Sequence, residues 1–335
     1  MTRDEFRTKV LGRDKSLCVM CKQPAADAHH ILERRLFLDG GYQLANGASL
    51  CTGCHIKAEM TLITPEQLYE CIGEKRVLPE HLYPDYIYTK WGDIQNNNGT
   101  RFPGELFHDE SVQKILAEGK VLDLYLPYVK YPRTFHLPFS PSISNDDRVL
   151  KSCTQFEGKE IVVVAKLDGE NTTGYQNRYI HARSMDSENH FSRNWVKNRL
   201  AEVLYELPEG WRICVENMYA KHSIHYKHLK SYCYLISIWN EKNECLSWEE
   251  TIDWAALLGI PLPTILYQGY WNPVVIKQLY RSEVDGDPCE GFVVRNINAF
   301  PYARFAQNTG KYVRAGHIQT NQHWIKTNTQ NELEK

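Results

Sequence analysis

Two pairs of cysteines place the tightest constraint on how this chain can fold. Cys18 and Cys21 form one CxxC pair, and Cys51 and Cys54 form the second. This spacing is typical of a structural zinc site, in which two loops each supply two thiolates to one tetrahedral ion. Because so short a segment buries little apolar core by itself, we expect bound Zn²⁺ to stabilise it. The alternative is that the four cysteines are free and buried.

Length and composition indicate a globular protein. The chain has 335 residues, enough for two modest domains with separate cores. It has no apolar run long enough to span a membrane, and residues 1–14 lack the apolar core of a signal peptide. We therefore expect a cytoplasmic protein with no membrane partner, in which the other cysteines pack as reduced apolar side chains.

The charge is uneven along the chain although its formal sum is only −2. Residues 291–330 carry basic side chains and no acidic ones. This stretch could face phosphate groups, and a solvated basic edge would have the same charge pattern. The basic residues are Arg295, Arg304, Lys311, Arg314 and Lys326.

The hydrophobic pattern divides the sequence into three parts. Residues 1–75 contain both cysteine pairs, and residues 76–130 are dense in Pro, Gly and Asn, which predicts a linker with one short helix. Residues 131–325 begin with a Pro- and Ser-rich stretch, expected to wrap the domain, and then alternate strands and helices. The predicted strands are 160–166, 172–182, 212–217, 231–239, 263–268 and 289–295, and the predicted helices are 194–206, 248–258 and 273–281. Strands outnumber helices and several short polar turns join them, so we expect a mainly antiparallel α+β domain.

One predicted strand ends on a lysine with polar residues directly behind it. The apolar run up to Lys166 is followed by Asp168, Gly169, Glu170 and Asn171. Strand ends are rigid places to hold a reactive group. A lysine in a pocket with other cations loses its proton more easily and can attack phosphorus or a carbonyl carbon. The polar side chains could hold a metal, a ribose or a base edge; an ordinary lysine before a tight turn is the alternative.

Five later stretches of the sequence, together with the one that contains Lys166, resemble the motifs of a known protein family. "KLDGE" is followed in order by "HARSM", "ICVENMYA", "YCYLISIW", "CEGFVVR" and "GKYVRAGH". This succession resembles the motifs of the covalent nucleotidyltransferases, which are the ATP-dependent ligases and the capping enzymes, and it covers about 131–324. "KLDGENTT" and "HARS" are most similar to RNA ligases of the RNA ligase 2 type. Too little chain follows the last motif for the OB-fold of DNA ligases and capping enzymes, so an RNA ligase is favoured.

The resemblance implies a reaction in three steps and a set of site residues. Lys166 attacks the α-phosphorus of ATP to form lysyl-AMP, AMP passes to a 5′-phosphate, and a 3′-hydroxyl then displaces AMP. Glu290 is expected to bind Mg²⁺ or Mn²⁺, and Tyr234 to stack on adenine. The implied catalytic residues are Lys166, Arg183, Glu216, Glu290 and Lys311. The implied nucleotide-binding residues are Lys166, Asp168, Glu170, Asn171, Arg183, Glu216, Tyr234, Glu290, Lys311 and Arg314.

The stretches around the cysteines have a resemblance of their own. "AHHILERR", "LANGASL" and "CHIKAE" resemble an HNH module, a small ββα domain that grips one metal. The resemblance implies His30 as general base, His29 and His55 as metal ligands, and Asn46 as the residue that orients the base. The sequence departs from the pattern at Glu59, where a second histidine often stands. A zinc-stapled module that binds nucleic acid without cutting it is the alternative.

Together these features favour an ATP-dependent RNA ligase with an N-terminal HNH-like zinc module. Its expected cofactors are ATP, Mg²⁺ or Mn²⁺, and Zn²⁺, and its expected partner is nucleic acid, with RNA favoured over DNA or a hybrid. The alternatives are a bifunctional nuclease–ligase, a DNA ligase or end-repair enzyme, and a decayed ligase that only binds. The presence of Lys166, Glu216 and Glu290 argues against the decayed ligase.

Overall fold

The computed structural model divides the chain into two compact units, Met1–Val129 and Lys130–Lys335. The structure describes residues 1–144, 147–183, 191–316 and 329–334. Lys326 and the predicted domain end at 325 lie outside these ranges, as do the last residues of the quoted motifs "HARSM" and "GKYVRAGH". Within the same ranges, no helix has both the length and the apolar character that a bilayer crossing needs.

The first unit is built from short elements. Its helices are α1 (Arg3–Arg13), α2 (Thr52–Glu59), α3 (Pro65–Ile72) and α4 (Glu110–Glu118). Its strands are β1 (Asp27–His30), β2 (Gly47–Leu50), β3 (Ile87–Tyr88), β4 (Ile94–Gln95) and β5 (Arg101–Phe102). Strands β1 and β2 pair antiparallel with His29 opposite Ala48, and α1 and α2 contact this pair. The order β1, β2, α2 is the ββα arrangement that the sequence predicted for the cysteine-containing region.

Residues 76–129, where the sequence predicted a linker, contain β3–β5 and α4 and help to form a core. Leu32 and Leu36 pack there with Trp91 and Leu116. Asp93 is completely buried and accepts hydrogen bonds from Thr89, Gly104 and Tyr125. The sequence did not predict this core because its apolar residues are separated by Pro and Gly and show neither the helical nor the strand period.

In its described residues, the second unit contains two larger antiparallel sheets, a separate two-stranded antiparallel sheet of residues 283–284 and 287–288, and short helices. Its strands are β6 (Glu160–Lys166), β7 (Glu170–Tyr175), β8 (Ile180–Ala182), β9 (Arg212–Asn217), β10 (Cys233–Trp239), β11 (Glu244–Cys245), β12 (Ile265–Tyr270), β13 (Glu283–Val284), β14 (Asp287–Pro288), β15 (Gly291–Asn296), β16 (Phe300–Pro301) and β17 (Thr309–Val313). Its helices are α5 (Asn194–Ala201), α6 (Trp248–Leu258), α7 (Pro273–Lys277) and α8 (Phe305–Asn308). The smaller sheet has the order β12-β6-β15-β17 and the larger β16-β11-β10-β9-β7-β8. The predicted antiparallel α+β architecture is confirmed for this unit.

Local sequence sets several helix ends. Thr2, Thr64 and Ser247 each form a capping box at the start of a helix, accepting a hydrogen bond from the backbone three residues on. Gly73 and Gly259 end α3 and α6 in the left-handed conformation that glycine adopts without strain. Helix α6 packs on the larger sheet, and Leu258 lies in the apolar core between them.

Candidate functional site

A cleft of about 1130 Å³ in the second unit is lined by residues of both sheets. Successive side chains of a strand point to opposite faces. In β6, Ile161 and Val163 pack in the core, and the residues of the other face, Val162, Val164 and Lys166, line the cleft. The cleft also contains the other predicted catalytic residues of this unit, which are Arg183, Glu216, Glu290 and Lys311.

Lys166 is held by an ion pair across the smaller sheet. Its Nζ atom donates a hydrogen bond of 2.6 Å to Oε2 of Glu290. Burial lowers the pKa of Lys166, but the carboxylates of Glu290 and Glu216 outweigh burial, so the pKa lies above the ordinary lysine value. The sequence predicted cations around a readily deprotonated lysine. The expectation fails for the free protein because the nearest charges are carboxylates.

Glu216 lies in β9 beside Lys166 and opposite Asn171 of β7. Its Oε1 atom accepts a hydrogen bond of 3.2 Å from the backbone N–H of Gly169. Burial raises the pKa of Glu216 to about 7, with Lys166 acting against the rise and Glu290 adding to it. Two carboxyl groups therefore converge on one lysine, an arrangement of hard oxygen donors that suits a divalent cation such as Mg²⁺.

Asn171 presents an unused amide to the cleft. Both Nδ2 and Oδ1 are buried, and neither has a hydrogen-bond partner in the part of the chain that the structure describes. Buried polar atoms in folded proteins nearly always have partners. A ligand in the cleft would satisfy them, which agrees with the prediction that Asn171 binds the nucleotide.

Asp168 and Glu170 line the cleft, but their carboxylates are already engaged. Oδ2 of Asp168 accepts hydrogen bonds of 2.9 Å from the backbone N–H groups of Ser223 and Ile224. Glu170 forms an ion pair with Arg193, whose Nε lies 2.8 Å from Oε2. Both carboxylates therefore hold neighbouring segments of the chain, and nucleotide binding by them stays a prediction.

Two of the three predicted phosphate-binding cations line the cleft. Lys311 in β17 lies opposite Val293, and its Nζ is 3.4 Å from Oδ1 of Asp147. Burial, followed by repulsion from Lys166, lowers the pKa of Lys311. Arg183 lines the same cleft directly after β8. Arg314, the third predicted cation, is not part of the cleft lining, and its backbone N–H donates to the Glu290 carbonyl at 2.9 Å.

Tyr234 does not lie where an adenine-stacking residue would be needed. It is buried in an apolar cluster with Tyr226, and its hydroxyl accepts a hydrogen bond of 2.9 Å from the Lys230 backbone. Tyr234 pairs with Glu216 across the sheet, but apolar packing with Met218, Tyr226 and Tyr232 occupies its ring. Residues 235–237 line the cleft instead.

His136 and Asp147 are site residues that the sequence analysis missed. Nδ1 of His136 lies 2.9 Å from Oγ of Ser140, and Nε2 lies 3.1 Å from Oδ1 of Asp147. Burial, followed by the charge of Lys311, lowers the pKa of His136 to about 4. Both residues belong to the Pro- and Ser-rich stretch, which has no periodicity that could have placed them beside β17.

The four paired cysteines of the first unit converge. Their Sγ atoms lie within 4.8 Å of one another, and those of Cys21 and Cys51 are 3.6 Å apart. Burial raises the pKa of Cys18, but backbone N–H groups of Cys51 and Cys21 lower it to about 7. Four thiols with one already favouring the thiolate form fit the tetrahedral zinc site that the sequence predicted.

A second group of possible metal ligands lies nearby in the same unit. Oε1 of Glu59 is 3.3 Å from Nδ1 of His29 and 3.4 Å from Nε2 of His55. Glu59 thus joins the two histidines at the position where the HNH pattern has a second histidine. The three donors fit a divalent cation. Nζ of Lys90 is 3.3 Å from the same carboxylate oxygen, so a bound cation would share Glu59 with an ammonium group.

His30 packs on an aromatic ring, and the Asn46 side chain does not contact it as the sequence predicted. The His30 ring stacks on Phe6 at a centroid distance of 4.4 Å, and burial, followed by the charge of Lys90, lowers its pKa to about 4. The Asn46 side chain donates to the carbonyl groups of Leu32 and Gly41 at 3.1 and 3.2 Å. Asn46 therefore holds the loop after β1, and the prediction that it orients His30 through its side chain is corrected.

Part of the second unit matches a known protein family. Residues 159–313 match the RNA ligase family. This span contains Lys166, Glu216, Glu290 and Lys311 and makes up less than half of the chain. The predicted resemblance to RNA ligases is confirmed for this segment, and the HNH-like module lies outside it and stays a prediction. No curated protein matches the chain.

Solved structures of RNA ligases give partial matches. A Naegleria gruberi RNA ligase variant with ATP and Mn is 16% identical, with a TM-score of 0.38 over 48% of this chain and 52% of that chain. A second variant from the same organism is 14% identical, with a TM-score of 0.41 over 56% and 57%. An archaeal ATP-dependent RNA ligase is 13% identical, with a TM-score of 0.38 over 56% and 48%. The chain spans about half the length of these structures.

The cysteine cluster predicts that the purified protein contains about one zinc ion per chain. Cys51→Ser removes one thiolate, so we expect it to lose the zinc and unfold the first unit, while the second unit keeps its melting transition. Elemental analysis and calorimetry measure both effects. Cys71→Ser, which changes an exposed cysteine outside the cluster, is the matched control. A Cys51→Ser protein that retains stoichiometric zinc would contradict the site.

The raised pKa of Glu216 predicts a pH-dependent stability. An unfolded glutamate has a pKa of about 4.3, and the folded value is about 7. The folded state therefore binds more protons between these values, and stability falls as pH rises through them. In buffer without added divalent cations, Glu216→Gln should raise the melting temperature on the order of 5 °C at pH 8 and change it little at pH 4. Glu209→Gln, an exposed control, should shift it equally at both pH values; a pH-independent effect of Glu216→Gln would reject the shift.

Proposed function

We propose that this protein is an ATP-dependent RNA ligase that joins 3′-hydroxyl and 5′-phosphate ends through a lysyl-AMP intermediate on Lys166. The observation that carries the proposal is the convergence of Lys166, Glu216, Glu290 and Lys311 in one cleft. All four lie within the segment that matches the RNA ligase family. The expected substrate is nucleic acid, with RNA favoured, and the expected location is the cytoplasm.

In the first step, Nζ of Lys166 forms a bond to the α-phosphorus of ATP. The bond from that phosphorus to the pyrophosphate oxygen breaks. The ammonium group of Lys166 loses one proton before it attacks and a second proton as the neutral phosphoramide forms. Glu290 is positioned to take the first proton, because its Oε2 already accepts a hydrogen bond from Nζ at 2.6 Å. Mg²⁺ or Mn²⁺ held by Glu290 and Glu216 would offset the negative charge that raises the lysine pKa and would polarise the α-phosphate.

The cations of the cleft suit the charge that develops during this step. Lys311 and Arg183 line the cleft with Lys166, and negative charge builds on the phosphate oxygens as pyrophosphate leaves. Asp147 holds Lys311 at 3.4 Å, which restricts where its ammonium group can point. The partnerless amide of Asn171 is placed to bind the sugar or base of the nucleotide.

The later steps use the same cleft. An oxygen of the RNA 5′-phosphate attacks the α-phosphorus of lysyl-AMP, and the bond to Nζ breaks. The 3′-hydroxyl of a second end then attacks the 5′-phosphorus, a phosphodiester bond forms, and AMP leaves. Each step displaces a group at phosphorus, so the same positive groups can stabilise all three transition states.

The proposal predicts that Lys166 takes a covalent label from ATP. With [α-³²P]ATP and Mg²⁺, the wild-type chain should carry a label on a denaturing gel that is labile to acid and stable to alkali, as expected for a phosphoramide. Lys166→Ala should lose the label completely, because no other nucleophile replaces the amine. Lys242→Ala, which changes an exposed lysine of the same unit, should keep it. A label that survives in Lys166→Ala would disprove the assignment.

Cleavage of nucleic acid by the first unit is a second candidate function. The convergence of His29, His55 and Glu59 favours it, because three donors of this type suit a catalytic divalent cation. Nε2 of His29 and Nε2 of His30 are buried without a hydrogen-bond partner among the described residues, and Nδ1 of His29 faces Oε1 of Glu59 at 3.3 Å. Such atoms are available to a metal or to a water molecule. His30 would act as the base, taking a proton from the attacking water.

The nuclease candidate predicts cutting that is independent of sealing. A Lys166→Ala protein cannot reseal ends through its lysine, so cuts in plasmid, single-stranded DNA or structured RNA should accumulate in Mn²⁺. The added change His30→Ala should abolish the cuts, because the water then has no base. His108→Ala, a histidine outside the cluster, should leave cutting unchanged. Intact substrates throughout would favour a module that binds nucleic acid without cutting.

A further inference from the structure

We propose that the C-terminal residues 329–334 brace the catalytic lysine and that Asn331 is the positioning residue of this brace. The inference deepens the proposed ligase function and rests on it. It concerns residues far beyond the RNA ligase match, which ends at residue 313. The brace acts through one loop, residues 218–226, that lies between β9 and β10 in the chain.

Asn331 closes this loop with its side chain. It is 1% exposed, and its Oδ1 accepts a hydrogen bond of 3.0 Å from the Tyr226 backbone N–H. Its Nδ2 donates to the carbonyl groups of Met218 at 2.8 Å and Ala220 at 3.2 Å. A side-chain amide can accept one hydrogen bond and donate two others at the same time. The Asn331 side chain therefore joins the start and the end of the loop.

The backbone of the C-terminal segment strengthens the same attachment. The N–H of Asn331 donates to the Tyr219 carbonyl at 3.0 Å, and the N–H of Glu332 donates to the Tyr226 carbonyl at 2.9 Å. The Asn331 carbonyl accepts a hydrogen bond of 3.0 Å from the Tyr232 hydroxyl. Because these groups are buried, a group left without a partner costs more free energy than the hydrogen bond contributes to stability. The segment is therefore an ordered part of the fold.

The loop in turn fixes the residues behind the lysine. Ser223 and Ile224 donate their backbone N–H groups to Asp168, each at 2.9 Å. The Asp168 backbone N–H donates to the Tyr226 hydroxyl at 3.1 Å. Asp168 is two residues from Lys166 in the chain. Asn331 thus holds Tyr226, Tyr226 and its neighbours hold Asp168, and Asp168 fixes the turn that sets the direction of the lysine.

The brace matters most for the attack by Lys166, because that step needs Nζ aligned with the α-phosphorus. A misplacement of about 1 Å can slow such a reaction on the order of a hundredfold. Asn331→Ala removes all three side-chain hydrogen bonds, and Asn331→Asp keeps the acceptor and removes both donors. We expect both variants to slow adenylylation about tenfold to a hundredfold at saturating ATP, with little change in the apparent Kd for ATP.

Single-turnover labelling with [α-³²P]ATP measures this effect, with Glu334→Ala as the control. The Glu334 side chain is exposed and its backbone bond to Leu229 survives the change, so this variant should react at the wild-type rate. A second readout is sealing of RNA that already carries AMP on its 5′-phosphate, which needs no attack by Lys166. Asn331→Ala should seal this RNA within about threefold of wild type. A general folding defect would instead slow both reactions in parallel, and that result would overturn the brace.

Tyr226→Phe tests the last link and covers the case in which Asn331→Ala fails to fold. It removes only the hydroxyl that accepts from Asp168, and we expect the same selective loss of adenylylation. Wild-type labelling rates in folded Asn331→Ala or Tyr226→Phe protein would overturn the brace while the ligase proposal stands. A wild-type chain that takes no label would overturn the ligase proposal, and the brace with it.

Discussion

The antiparallel pairing of β6 with β15 positions the lysine of the cleft and its carboxylate partner. Lys166 lies directly opposite Gly291, which brings the preceding residue, Glu290, within 2.6 Å of the lysine. Gly291 also pairs with β17, where a Cβ atom would lie 1.9 Å from the Tyr312 carbonyl oxygen. Only glycine fits this close approach. The same three strands therefore deliver the lysine, its carboxylate partner and, through β17, Lys311.

This geometry gives the free cleft a resting state in which the lysine is not a nucleophile. Glu290 and Glu216 raise the pKa of Lys166, although burial alone would lower it. Breaking a buried ion pair on one side leaves an uncompensated charge and is costly, so the pair is stable until another cation competes for the carboxylates. The carboxylates that suit a divalent cation are also the groups that keep the amine protonated. In the proposed function, a divalent cation that binds these carboxylates would therefore also release the amine of Lys166 for attack.

The sequence predicted those features that depend on local spacing. The strand that ends at Lys166 is β6 as predicted, and the two CxxC pairs converge as their spacing requires. Features that depend on distant partners were missed. Tyr234 packs in an apolar cluster with Tyr226 and does not line the cleft, and the position of His136 follows from its pairing with β17. Neither a packing contact nor a pairing between segments far apart in the chain leaves a periodic signal in the sequence.

A buried polar side chain either holds the backbone around a site or binds a ligand in it, and the sequence alone does not distinguish these two roles. Asp168, Asn46 and Asn331 have the appearance of ligand-binding residues, yet each forms hydrogen bonds with backbone groups that would otherwise be unpaired. Asn171 and His29 are the opposite case, because the Asn171 amide and Nε2 of His29 are buried without a hydrogen-bond partner among the described residues. The first kind of residue sets the shape of a site, and the second kind leaves room for what binds there. The partnerless amide of Asn171 stands opposite Glu216 in the cleft that also contains Lys166, Lys311 and Arg183, so in the proposed function the cleft would suit a ligand that accepts and donates hydrogen bonds and carries negative charge. A nucleotide has all three properties.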